Sequence, residues 1–108
     1  MRRADLLIER GFVVDGSGQP GFAGDVGITG DRVVAMGDLG GSEARRTIDA
    51  TGLVVAPGFV DVHTHSDLTL LADPRAESQI RQGVTTEVIG QCGVSLAPCT
   101  DESRKARI

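Results

Sequence analysis

The chain has 108 residues, a formal net charge of −4 and three aromatic residues, all Phe. That length allows at most one ordinary domain, and an acidic chain without Tyr or Trp offers neither the basic stripe nor the stacking platforms of a nucleic-acid binder. Fifteen glycines against so few aromatics specify many tight turns and little core-filling bulk, so the chain reads as short strands that cannot close a core unaided.

Arg2-Arg3 precedes an apolar stretch, Leu6-Leu7-Ile8, that charge interrupts too soon for a signal peptide or membrane span. Leu6-Leu7-Ile8 and Phe12-Val13-Val14 flank Glu9-Arg10-Gly11, which predicts a hairpin. Residues 15–21 are a loop by composition. Asp25-Val26-Gly27-Ile28-Thr29 alternates polar and apolar residues, and Gly30-Asp31 then leads into residues 32–37, a second hairpin. Thr47-Ile48-Asp49 reads as one more short strand. No helical period occurs before Gly52, so residues 1–52 are expected to form a small antiparallel β unit. The Gly-rich segments at 16–18 and 37–41 lack the lysine and the strand-to-helix setting of a phosphate loop, and read as turns.

Residues 53–65 are apolar at nearly every position, as in a strand buried on both faces. Pro57-Gly58 interrupts them and marks a junction, with a new strand starting at Gly58. Asp73 as N-cap and Pro74 at the first helical position predict a helix over 75–82, ended by Gly83. Residues 84–89 form a β-branched strand, 90–95 a loop, and 101–107 the first turns of another helix. Strand, helix, strand, loop, helix is the order of a parallel α/β array.

The chain's two histidines stand together in His63-Thr64-His65, at the end of that apolar strand. Strand parity places Phe59, Asp61, His63 and His65 on one face. Two imidazoles projecting side by side are half of a metal site. Cys92 follows the next strand at the equivalent level, and parallel α/β folds gather functional groups at the C-terminal ends of their strands. His63, His65 and Cys92 are a ligand set suited to zinc. From spacing alone, Cys92 reads equally as a third ligand or as a small buried residue in a Gly-rich turn. Asp61 reads as an acceptor orienting an imidazole or bonding to backbone, rather than as a ligand. Asp67 reads either as a substrate or outer-shell contact or as a helix or loop cap. Cys99, after Pro98, reads as a packing or exposed thiol. Two cysteines without paired spacing make no disulfide framework, so a cytoplasmic setting is expected.

The run Ile48-Asp49-Ala50-Thr51-Gly52-Leu53-Val54-Val55-Ala56-Pro57-Gly58-Phe59-Val60-Asp61-Val62-His63-Thr64-His65 resembles the signature of the amidohydrolase superfamily. The run Gln82-Gly83-Val84-Thr85-Thr86-Glu87-Val88-Ile89-Gly90-Gln91-Cys92-Gly93-Val94-Ser95-Leu96-Ala97-Pro98 is similar to its D-aminoacylase (N-acyl-D-amino-acid deacylase) branch. The resemblance implies an α/β fold with a β-rich N-terminal part. Residues 1–56 would be part of a small β-sandwich, and residues 57–108 the first two βα units of a metal-dependent (β/α)8 barrel. It implies His63 and His65 as first-strand ligands, Cys92 as the cysteine ligand, Zn2+ as cofactor and a small-molecule N-acyl-D-amino acid as substrate. In that family the general base and two further histidine ligands come from later strands, so no catalytic residue is assigned here.

A complete barrel needs about 250 residues. The expectation is therefore an N-terminal part of a longer enzyme that needs the rest of its parent chain and is inactive alone, with neither nucleic acid nor membrane as partner. A cyclic amidohydrolase of the dihydroorotase or hydantoinase kind is the alternative within the superfamily, and the Gly90-Gln91-Cys92-Gly93 loop argues against it. A non-catalytic β-rich interaction module, pairing through exposed edges, is the alternative outside it.

Overall fold

A computed structural model of the protein describes residues 3–95 and 97–105. The chain divides into two compact units, Met1–Pro57 and Gly58–Ile108.

The first unit is one five-stranded sheet built on β1 (Ala4–Val13). On one side lie β2 (Phe22–Thr29) and then β3 (Arg32–Gly37); on the other, β4 (Ala44–Asp49) and the short β5 (Val54–Val55) both pair with β1. The β2–β3 hairpin turns at Gly30-Asp31 as expected. Gly30 adopts a positive φ of 58°, and its N–H donates to Asp5 Oδ2 at 2.9 Å. Residues 15–21 lie outside the strands, again as expected, and Val14, expected in the strand, lies outside it too. Among the described residues, the buried hydrophobic ones are Ala4, Leu7, Val13, Val26 and Ala50.

Two expectations fail in this unit. Residues 9–11 make no hairpin. β1 runs straight through them with a bulge, its register to β2 shifting between Ile8 and Gly11. Arg10 takes the extra position at φ 60°, its N–H donating to Asp25 Oδ1 at 2.8 Å. Its guanidinium lies 2.9 Å from Asp49 Oδ2 and bonds Thr51 Oγ1 at 3.2 Å. Gly11 is required by close packing rather than by a turn, because a Cβ there would stand 2.5 Å from Val55 Cγ2. Two apolar runs parted by a few polar residues fit a bulge as well as a turn. The sheet is also mixed, not antiparallel: β4 and β5 run parallel to β1.

The second unit holds a parallel pair, β6 (Phe59–Asp61) and β7 (Val84–Glu87). One-turn helices α1 (Thr69–Ala72) and α2 (Glu77–Ile80) lie between them in sequence, and a short 3₁₀ turn (Gln91–Gly93) and α3 (Asp101–Lys105) follow. Strand, helix and parallel strand thus appear in the expected order. A Cβ at Gly58 would collide with the Thr85 side chain, which explains the glycine at the start of β6.

The element lengths differ from expectation. The strand from Gly58 ends at Asp61, so His63 and His65 lie on the segment beyond it. Nor is it buried on both faces: Phe59 is 64% and Val60 56% exposed. β7 is its sole strand partner among the described residues, and burial on both faces needs covering layers that a two-stranded pair lacks. The helix expected over 75–82 contracts to α2, because Ala76 takes a left-handed φ of 46°. Asp73 does not cap it but accepts from the Arg75 N–H at 3.3 Å. Gly83 ends this turn at φ 84°, as expected, whereas α1 had no sequence signal. β7 stops two residues short of the expected 84–89. Of the helix expected over 101–107, residues 106 and 107 lie outside the described residues. No helix among the described residues is long and apolar enough to cross a membrane.

Candidate metal centre

In the parallel pair Asp61 lies opposite Glu87, so β6 and β7 end at the same level. The segments leaving them are stitched together. Val88 N–H donates to Asp61 C=O at 2.8 Å, Thr64 N–H to Val88 C=O at 3.4 Å, and Gln91 Nε2 to Val62 C=O at 3.3 Å. Asp61 Oδ1 accepts from the backbone N–H of His63 at 3.1 Å, which shapes the bend carrying the first histidine. Of its two readings, bonding to backbone is the one this geometry bears out.

On this frame the side chains of His63, His65 and Cys92 meet. One ligand atom from each lies within 4.8 Å of the others, and all three residues are exposed. Cys92 Sγ is 3.3 Å from His63 Nε2, and the two imidazole rings stand edge to face with centroids 5.5 Å apart. Ligands of tetrahedral zinc, bound at the usual S and N distances, are about 3.4–3.6 Å from each other. The Cys92–His63 separation of 3.3 Å falls about 0.1 Å short of that range, and the wider span to the remaining donor is within the reach of exposed side chains. A thiol and two imidazoles are also the donor chemistry zinc selects, so the residues fit the ion. Cys99 is exposed and stands outside this cluster.

The Cys92 loop is unusual in its backbone. Gly90 and Gly93 adopt φ of 84° and 75°, and Cys92 itself is left-handed at φ 54°, ψ 29°. A non-glycine residue held there costs about 1–2 kcal/mol, and such strain persists only where the surroundings over-determine it. The two flanking glycines were legible as turn formers; the left-handed Cys92 was not.

Sequence reasoning singled out Asp67 but missed Ser66 and Glu87, which join it in a polar cluster beside the metal-type donors. Ser66 is buried, and its Oγ donates to Glu87 Oε2 at 2.6 Å. Asp67 is buried, and its Oδ1 accepts from Gly90 N–H at 3.1 Å. Asp67 does not cap α1, whose N-cap is Leu68 without any side-chain cap bond. Among the described residues, Asp67 Oδ2 and Glu87 Oε1 are buried without a hydrogen-bond partner. The available signal was the lone carboxylate of Glu87 within a β-branched strand, where an acidic group must find a donor.

Residues 46–107 match the family model described as "Amidohydrolase family". The chain is 52% identical over 94 residues to the D-aminoacylase of Alcaligenes xylosoxydans xylosoxydans, covering 87% of this chain and 19% of that protein. It is 49% identical over 96 residues to the N-acyl-D-glutamate deacylase of the same organism, covering 89% and 20%. Its fold is similar to the crystal structure of the N-acyl-D-glutamate deacylase of Bordetella bronchiseptica, solved with zinc and a phosphonate mimic of the tetrahedral intermediate. The TM-score is 0.86 at 44% identity, over 91% of this chain and 21% of that one. The chain thus spans about one fifth of the length of these relatives.

Proposed function

The chain belongs to the amidohydrolase family, and from that premise we propose that its His63, His65 and Cys92 hold zinc for hydrolysis of the amide bond of N-acyl-D-amino acids. In this reading residues 1–56 are part of a small β-sandwich, and residues 57–108 begin a (β/α)8 barrel that other segments of a longer enzyme complete. The observation that carries it is the convergence of the three donors within 4.8 Å at the common end of two parallel strands. The deacylase relatives support the substrate class, and the zinc in the Bordetella structure supports the metal.

When bound, zinc supplies Lewis-acid polarisation of a carbonyl and lowers the pKa of water toward about 7. The chain's own part is to hold and orient. Cys92 serves as thiolate, and each imidazole offers one neutral nitrogen. The Asp61 bond to the His63 N–H sets the bend that carries His63, and the strand-end bonds keep the two donor-bearing segments in register. Accepting a proton from water and delivering it to the leaving nitrogen requires a general base. This chain is assigned none, so the base belongs to another segment.

Cobalt titration of the 108-residue chain tests the reading. The expected result is stoichiometric binding with a thiolate-to-cobalt absorption band. The band disappears in Cys92→Ala, and affinity falls by at least about 100-fold in His63→Ala, the upper end of what loss of an outer-shell partner costs. A wild-type chain that binds cobalt without that band overturns the Cys92 assignment. Hydrolysis of N-acetyl-D-amino acids by this chain alone overturns the assignment of the base to another segment.

A further inference from the structure

Ser66 and Asp67 are the buried polar residues of the described chain, 4% and 5% exposed. Their two bonds land at either end of one short span. Ser66 grips Glu87, the last residue of β7, and Asp67 grips Gly90, where the Cys92 loop begins.

We propose that Asp67 is a positioning residue for the Cys92 thiolate, acting by capture of the Gly90 N–H; the inference rests on the reading of Cys92 as a metal ligand. A buried carboxylate is costly, and an oxygen without a partner adds to that cost. Segments that need only stability bury apolar groups. Here the carboxylate does not cap the helix that follows it. What it does is fix a glycine N–H two residues before Cys92. The loop has three left-handed residues in four, Gly90, Cys92 and Gly93. Further contacts of the loop include the Val94 N–H to Gln91 C=O bond inside it, the Gln91 side chain to Val62 C=O, and Cys92 Sγ to His63 Nε2. Gly90 opens the loop, so the bond from its N–H to Asp67 Oδ1 acts where the loop leaves the end of β7. The same dipeptide follows His65 directly, so one segment presents both imidazoles and aims the thiolate at them.

The test compares Asp67→Ala with Asp67→Asn in the 108-residue chain, because the asparagine carbonyl keeps an acceptor for the Gly90 N–H. In Asp67→Ala, cobalt affinity should fall by about 10–100-fold, as for other outer-shell partners, with a weakened thiolate-to-cobalt band. Asp67→Asn should keep both. Far-UV circular dichroism checks that each variant is folded. Should Asp67→Ala not fold, the Gly90 amide decides: it should exchange slowly in wild type and in Asp67→Asn. The proposal is overturned by an Asp67→Ala chain with wild-type affinity and band, by an asparagine variant as impaired as the alanine one, or by a freely exchanging Gly90 amide. A wild-type chain without the band removes the Cys92 reading itself, and this proposal with it. A band present in wild type and unchanged in Asp67→Ala removes only the positioning role.

Discussion

The two units of this chain are held together by different means. In the first, β1 is paired along both edges, and every buried apolar residue of the described chain, Ala4, Leu7, Val13, Val26 and Ala50, lies there. Among the described residues of the second, the strands are three and four residues long, and the buried residues are polar, Ser66 and Asp67. Phe59, Val60 and Val62 stay largely exposed in the same unit. The difference teaches where sensitivity resides. A sheet with an apolar core tolerates the loss of one polar contact. A unit whose geometry rests on directional side-chain bonds does not, and that unit carries the metal-type donors.

Substitutions can break or sharpen this contrast. The largest effect is expected from Leu7→Ala, which empties a site 1% exposed and should cost about 2–5 kcal/mol. Urea unfolding followed through the amides of β1 measures it. The cobalt band should be unchanged, and its loss would show that the donor cluster depends on the first unit's core. Next is Ser66→Ala, which takes from Glu87 Oε2 its 2.6 Å donor and should cost about 1–3 kcal/mol. The signature is faster amide exchange at the end of β7 with β1 untouched. An unaltered β7 would sink the claim that polar clamps hold this unit.

The smallest effect is expected at Asp49. The side-chain hydrogen bond from Arg10, then those from Thr51, hold its carboxyl well below the usual carboxylate range. A depressed folded pKa means that the unfolded chain takes up the proton first as pH falls. The contribution is complete above the ordinary Asp value of about 3.9 and is lost as pH drops from there. The pair is solvent-exposed, so screening keeps the effect small. Asp49→Asn should flatten the acid limb of the first unit's stability curve, and an acid limb identical to wild type would remove Asp49 from that account.

The sequence by itself determined the punctuation and the donor types. Gly30-Asp31 announced the β2–β3 hairpin, Pro57-Gly58 a junction, and residues 84–89 a strand, of which 84–87 form one, because turn chemistry and β-branching act locally. His63, His65 and Cys92 were legible as metal-type donors because imidazole and thiol chemistry is intrinsic to the side chain. Only the tertiary structure decided that residues 9–11 bulge rather than turn, since the deciding partners, Asp25, Asp49 and Val55, lie far along the chain. It also turned β4 and β5 parallel to β1 and ended β6 before His63. Asp67, ambiguous between a contact and a cap in the sequence, found its partner 23 residues away at Gly90. Hydrogen bonds across such separations depend on which segments the fold brings together, and no local preference encodes that choice.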